Sequence, residues 1–189
     1  MLARSKTASI VVEADEVDED HQSPRNIALL DILKCLPRIR ELSLMQLEPE
    51  SESQGDSGIV NAPFLGQVVA RLDGPAPLLE SLRISYSNSN HAVHPILSCG
   101  TPRLRHLEPS KTSIPWWPTI VGGLVSLRIS TPPISLRLPV PTLTSILSKL
   151  PNLEEVYLSC VITPPRSGLV VWGDGPDSLP RITHLHLEN

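Results

Sequence analysis

Residues 142–158 read TLTSILSKLPNLEEVYL, and the two spacings inside this stretch decide the fold. Leu143, Ile146, Leu147 and Leu150 fall at i, i+3, i+4 and i+7, which lines them along one face of an α-helix and leaves Ser145, Ser148 and Lys149 on the other. Pro151 then ends the helix, because the residue before a proline is pushed out of the α region. From Leu153 the spacing shortens. Val156 and Leu158 share one face of a strand, and Glu155 and Tyr157 share the other. A helix and a strand that each carry one apolar face cannot bury both alone, so the unit requires neighbours of its own kind.

Those neighbours are present as PRIRELSL (37–44), PLLESLRI (77–84), PRLRHLEP (102–109), GGLVSLRI (122–129), PNLEEVYL (151–158) and PRITHLHL (180–187). Five of the six begin with proline, all carry apolar residues at the first two periodic positions, and only Pro109 breaks the third. Leu42, Leu82, Leu107, Leu127, Val156 and Leu185 are separated by 40, 25, 20, 29 and 29 residues. Four of these intervals lie in the 20 to 29 range of leucine-rich repeats. The longest contains the acidic, serine-rich run EPESESQGDS (48–57), which reads as a solvated loop insertion over 48–60.

Composition excludes several function classes. Among 189 residues there are 20 prolines but only three Trp, two Tyr and one Phe, which suits short elements with aliphatic layers rather than an aromatic cofactor pocket or a base-stacking platform. A net charge of −4 runs against nucleic-acid binding, whose footprint is a basic patch. Cys35, Cys99 and Cys160 are odd in number and contain no C-x-x-C pair, the pattern of reduced thiols in an intracellular, cytoplasmic or nuclear protein. No apolar run reaches a transmembrane length and no signal-peptide core is present, so no membrane partner is expected.

In chain order, residues 1–25 read as an acidic, partly disordered segment in which SIVV (9–12) makes an edge strand, followed by the acidic loop EADEVDED (13–20). A helix is expected over 26–36 from Leu29, Ile32, Leu33 and Leu36, and another from Leu65, Val68, Val69 and Leu72, with Asn61 as N-cap, Pro63 in the first turn and Gly74-Pro75 after the end. Pro95–Cys99 and Pro118–Gly123 leave room for about one helical turn each. In TPPISLRLPVP (131–141), Ile134, Leu136 and Leu138 alternate as a short edge strand. Gly173-Asp174-Gly175-Pro176 is a turn signal, so the last repeat is expected to lack a helix.

The phrases LRHLEPSKTSIPWWPTIVGGLVSLRIS (104–130) and TLTSILSKLPNLEEVYLSC (142–160) resemble the leucine-rich-repeat region of fungal F-box-like proteins, and the resemblance spans most of 26–189. It implies an irregular α/β solenoid: a curved parallel sheet of about six strands with short helices and loops on its convex side. It also implies a protein-binding role as the substrate-recognition part of an F-box-type ubiquitin-ligase receptor. No F-box is found among these residues, so docking on the ligase adaptor requires one outside this chain. The asparagine ladder of regular repeats is absent too, its positions being held by Leu47, Ser87, Thr112, Pro132 and Val161.

With apolar strand positions turned inward, the residues between them form two rows on the concave face. One row is Glu41, Ser81, His106, Ser126, Glu155 and His184; the other is Ser43, Arg83, Glu108, Arg128, Tyr157 and His186. The candidate protein-binding residues are Arg83, His106, Glu108, Arg128, Glu155, Tyr157, His184 and His186, with Trp116 or Trp117 as a possible anchor. Arg83, Glu108 and Arg128 either read a partner's charges or pair among themselves. Paired protonation of His184 and His186 would tune binding with pH. Gly55-Asp56-Ser57-Gly58 looks like a serine-protease nucleophile segment but lacks a histidine motif, and His91, His94 and Cys99 lack a full metal-ligand spacing. A non-enzymatic scaffold without cofactor or metal is therefore expected, against the alternatives of a hydrolase or an inactive receptor remnant. The strand-like ends further suggest a partial array of marginal stability.

Overall fold

The computed structural model describes residues 8–14, 23–45, 63–85, 101–111, 122–132, 134, 137–163 and 182–188. In chain order the elements are β1 (Ile10–Ala14), α1 (Pro24–Leu33), β2 (Ile39–Met45), α2 (Pro63–Leu72), β3 (Ser81–Ser85), β4 (His106–Ser110), β5 (Ser126–Ser130), α3 (Val140–Leu147), β6 (Glu155–Ser159) and β7 (His184–Glu188). The strands form one open, seven-stranded α/β sheet, with every neighbouring pair parallel and spatial order equal to chain order.

Proline does specific work at the start of the repeats. Backbone N–H groups of Ile39, Leu79, Leu104 and Leu153 donate to the carbonyls of Leu36, Ala76, Thr101 and Leu150, closing four-residue turns in which Pro37, Pro77, Pro102 and Pro151 hold the second position. A fixed φ near −65° preorganises that position, and the missing N–H is not needed there. The strand entrances repeat as well. Glu80 O accepts from the N–H groups of both Arg105 and His106, Arg105 O from Val125 and Ser126, Val125 O from Glu154 and Glu155, and Glu154 O from Thr183 and His184. At the exits of β4, β5 and β6 the next residue turns into the left-handed region: Lys111 (φ 52°), Thr131 (φ 43°) and Cys160 (φ 55°). Their N–H groups donate onward to Ser130 O, Ser159 O and Glu188 O, so each turn extends the ladder by one bond.

One apolar cluster unites the strands with the helices. Leu42, Leu82, Leu107, Leu127 and Val156 occupy equivalent buried strand positions, joined by Leu29 and Leu33 of α1, Val68 and Leu72 of α2, and Leu143 and Leu147 of α3. Ile39, Leu79, Leu104, Leu124 and Leu153, one per unit, are also fully buried. This leaves the alternate strand residues on the opposite face. At β7 the apolar row is uncovered, with Leu185 and Leu187 58% and 54% exposed.

Several boundaries differ from the sequence reading. The first strand runs to Ala14, so Glu13 and Ala14 belong to the sheet rather than to an acidic loop, and the strand count is seven rather than about six. Helix α1 starts at Pro24 and stops at Leu33, and buried Leu36 sits in a 3-10 turn (Leu36–Arg38). Helix α3 begins at Val140 and ends at Leu147, where the N–H groups of Lys149 and Leu150 reach back only three residues and tighten the chain before Pro151. Of the expected edge strand, Leu136 lies outside the described residues; Ile134 is 77% exposed, and Leu138 makes an isolated parallel bridge to Ile162. Pro109 stands in an interruption of the β4–β5 pairing, between the Leu107–Leu127 and Ser110–Ser130 pairs, because proline has no N–H to offer a neighbouring strand. Among the described residues no helix is long and apolar enough to cross a membrane.

Candidate functional site

Parallel register converts the alternation along each strand into rows across the sheet. The first row is Val11, Glu41, Ser81, His106, Ser126, Glu155 and His184, from β1 to β7. In the second, Glu13, Ser43, Arg83 and Glu108 follow one another from β1 to β4, and Arg128, Tyr157 and His186 from β5 to β7. All eight strand residues singled out from the sequence therefore share one face. A third row was not foreseen: Met45, Ser85, Ser110, Ser130, Ser159 and Glu188, whose middle is a run of four serines. Its signal lay one residue beyond each repeat motif, in the serine that follows Ile84, Pro109, Ile129 and Leu158.

This face is hollowed by a solvent-open groove of about 350 Å³ running from β1 to β6. Arg83, His106, Glu108, Arg128 and Glu155 line it, whereas Tyr157, His184 and His186 lie outside it toward β7. Val11 and Glu13 also line it, at the β1 end. The sequence reading places Val11 in the edge strand but gives it no row, and ends that strand before Glu13; the alternation of Val11 and Glu13 around Val12 is the available signal.

The charges in the groove are unevenly engaged. Arg83 Nε lies 3.4 Å from Glu108 Oε1, with the two side chains 49% and 30% exposed, so this pair contributes roughly 0 to 1 kcal/mol. Ser126 Oγ donates to Glu155 Oε2 at 3.1 Å. Arg128 is exposed and makes no hydrogen bond or ion pair among the described residues. Just outside the strands, Arg40 Nε donates to Glu80 Oε2 at 2.8 Å; that hydrogen bond holds the Glu80 carboxyl below its usual range and raises the Arg40 guanidinium above its own.

A second cluster closes the β6–β7 end. The rings of Tyr157 and His186 stack with centroids 4.8 Å apart and planes 4° from parallel. Both reach one carboxylate: Tyr157 OH donates to Glu188 Oε2 at 2.7 Å, and His186 Nε2 lies 2.9 Å from Glu188 Oε1. The hydrogen bond from His186, followed by that from Tyr157, lowers the Glu188 pKa, and the same carboxylate raises that of Tyr157. His186 engages Tyr157 and Glu188, while His184 lies in the other row beside Glu155.

Trp116 and Trp117, the Gly55–Gly58 segment, His91, His94 and Cys99 lie outside the described residues. Among the described residues no three His, Cys, Asp or Glu side chains converge as metal ligands. No protein-family model, no curated protein and no solved structure compared with the chain matches it.

Proposed function

We propose that the chain is a short, irregular leucine-rich-repeat solenoid that works as a protein-binding scaffold rather than an enzyme, with the polar sheet face as its docking surface. One observation carries this reading: consecutive parallel strands in register set their polar residues side by side along a groove, while their leucines are committed to the core. Adjacent strands lie about 4.8 Å apart, so the six steps from β1 to β7 extend roughly 29 Å, a length that suits a segment of another protein better than a small molecule. The repeat turns, strand entrances and left-handed exits support the solenoid reading, because each recurs in translation from unit to unit. A role as the substrate-recognition part of a ubiquitin-ligase receptor rests on the resemblance alone and requires an F-box outside this chain.

The test is affinity capture with mass spectrometry, using the intact chain and an Arg83→Ala/Arg128→Ala variant whose melting is checked in parallel. The proposal predicts a partner held by the intact chain and lost from an equally well-folded variant. Equal capture by both, or capture by neither, contradicts it.

A further inference from the structure

Resting on the reading of the polar face as a docking surface, we infer that the groove takes an extended peptide segment of defined polarity. A basic side chain sits at the β1–β2 end, and an acidic one four to six residues away sits over Arg128. The polarity follows from which charges in the groove are already engaged. In the middle of the groove, Arg83 and Glu108 face each other at 3.4 Å and cancel, so this part makes no demand for a charged ligand. At the β1–β2 end, Glu13 and Glu41 make no ion pair or hydrogen bond among the described residues, and Val11, 54% exposed, stands beside them in the same row as Glu41. That end offers two carboxylates and an aliphatic surface, which suit the ammonium or guanidinium and the methylene stem of Lys or Arg.

Arg128 is the complement. It lines the groove, is exposed, and makes no hydrogen bond or ion pair among the described residues, its charge reaching only the Tyr157 hydroxyl electrostatically. Both nearby carboxylates are engaged elsewhere, Glu108 by Arg83 and Glu155 by the Ser126 hydroxyl. A planar guanidinium held on a strand is suited to two parallel hydrogen bonds with an incoming carboxylate.

Geometry fixes the spacing. Glu41 is three strands from Arg128 and Glu13 is four, which is about 14 and 19 Å at the inter-strand spacing of about 4.8 Å. An extended peptide advances about 3.4 Å per residue, so its two charges fall four to six residues apart. The stretch between them crosses Ser43, Ser81 and the neutralised Arg83–Glu108 pair, and calls for small, uncharged residues.

The test pans a displayed random decapeptide library against the intact chain and three variants: Arg128→Glu, Glu13→Lys/Glu41→Lys, and Ser81→Trp, which fills the groove. Circular dichroism melts confirm folding, and Arg128→Gln replaces Arg128→Glu if the latter does not fold. The inference predicts that intact-chain peptides carry Lys or Arg and Asp or Glu four to six residues apart. It also predicts that Arg128→Glu exchanges the acidic residue for a basic one, or that Arg128→Gln abolishes the acidic preference. Affinity for the original peptides should fall about tenfold or more, the scale of one charge-assisted hydrogen bond. The two lysines should remove the basic preference. Peptides that Ser81→Trp displaces but whose charges are indifferent to Arg128→Glu overturn the polarity and leave the docking face standing. If no peptide is enriched, or Ser81→Trp displaces none, both the polarity and the docking face fall.

Discussion

Thr101 occupies a place that the repeat reserves for an apolar side chain, and replacing it with valine is expected to stabilise the protein. Its backbone carbonyl closes the turn to Leu104, as those of Leu36, Ala76 and Leu150 close theirs, and all four side chains are buried, Thr101 to 1% exposure. Its hydroxyl is buried without a hydrogen-bond partner among the described residues. An unsatisfied buried hydroxyl costs about 1–3 kcal/mol on protein mutational scales. Valine keeps the β-branch and the volume, exchanging that hydroxyl for a methyl in an apolar setting. The turn is untouched, because its acceptor is main chain. Part of the gain is lost to imperfect packing of the new methyl, leaving about 1 kcal/mol, or roughly 2–4 °C in Tm for a chain of this length. Thr101→Ser, which keeps the hydroxyl and removes a methyl, is expected to cost about 1 kcal/mol. Urea melts measure both, as a higher midpoint for valine and a lower one for serine at unchanged slope. A valine variant less stable than the wild type, with a serine variant equal to it, would show that the hydroxyl is engaged and refute the equivalence of the four turns.

The remaining expectations follow from the same frame. Leu127→Ala, at a fully buried strand position, is expected to cost about 2–5 kcal/mol, whereas Leu185→Ala at the equivalent but 58% exposed position of β7 costs no more than about 1, a contrast readable in denaturant midpoints. Thr131 holds φ 43° with an exposed side chain and a β-branch that disfavours it, so Thr131→Gly is expected to gain about 1 kcal/mol in thermal melts while Ser130→Gly gains nothing. Glu188 has a folded pKa below its ordinary 4.5 through His186 and Tyr157, so its contribution is present above the unfolded value and is lost as pH falls through the folded one. The melting difference between wild type and Glu188→Gln should accordingly close as the pH falls below the ordinary Glu value and through the lowered one.

The sheet was legible because the repeated motif states its own geometry: proline marks the turn, and the apolar spacing after it marks which strand face is buried. Helix ends were not legible. Leu36 and Leu150 continue a helical period by coincidence and are buried from tightened turns, so periodicity alone placed them in helices that end at Leu33 and Leu147. The left-handed exits at Lys111, Thr131 and Cys160 were invisible because none carries the glycine or asparagine that usually announces such a backbone; the onward N–H bonds hold them there. At the site, alternation was enough to place Arg83, His106, Glu108, Arg128, Glu155, Tyr157, His184 and His186 on one face. It did not reveal that Arg83 is ion-paired whereas Arg128 has no ion pair among the described residues, because that depends on side-chain reach across a ladder interrupted beside Pro109. Glu188 was missed for a similar reason: its role comes from two neighbours that approach it in space, Tyr157 from β6 and His186 from two residues earlier in β7.

Every functional statement depends on the strands lying in chain order, in register, with one polar face. Distances between paired spin labels measure this directly. In a chain with Cys35, Cys99 and Cys160 replaced, labels at Glu41/Glu155, Glu41/His184 and Val11/His184 span four, five and six strand steps along the first row. The account predicts distances rising by about 4.8 Å per step, near 19, 24 and 29 Å. Distances that do not rise in this order would contradict it, and the groove, its charge pattern and the proposed partner would go with the sheet.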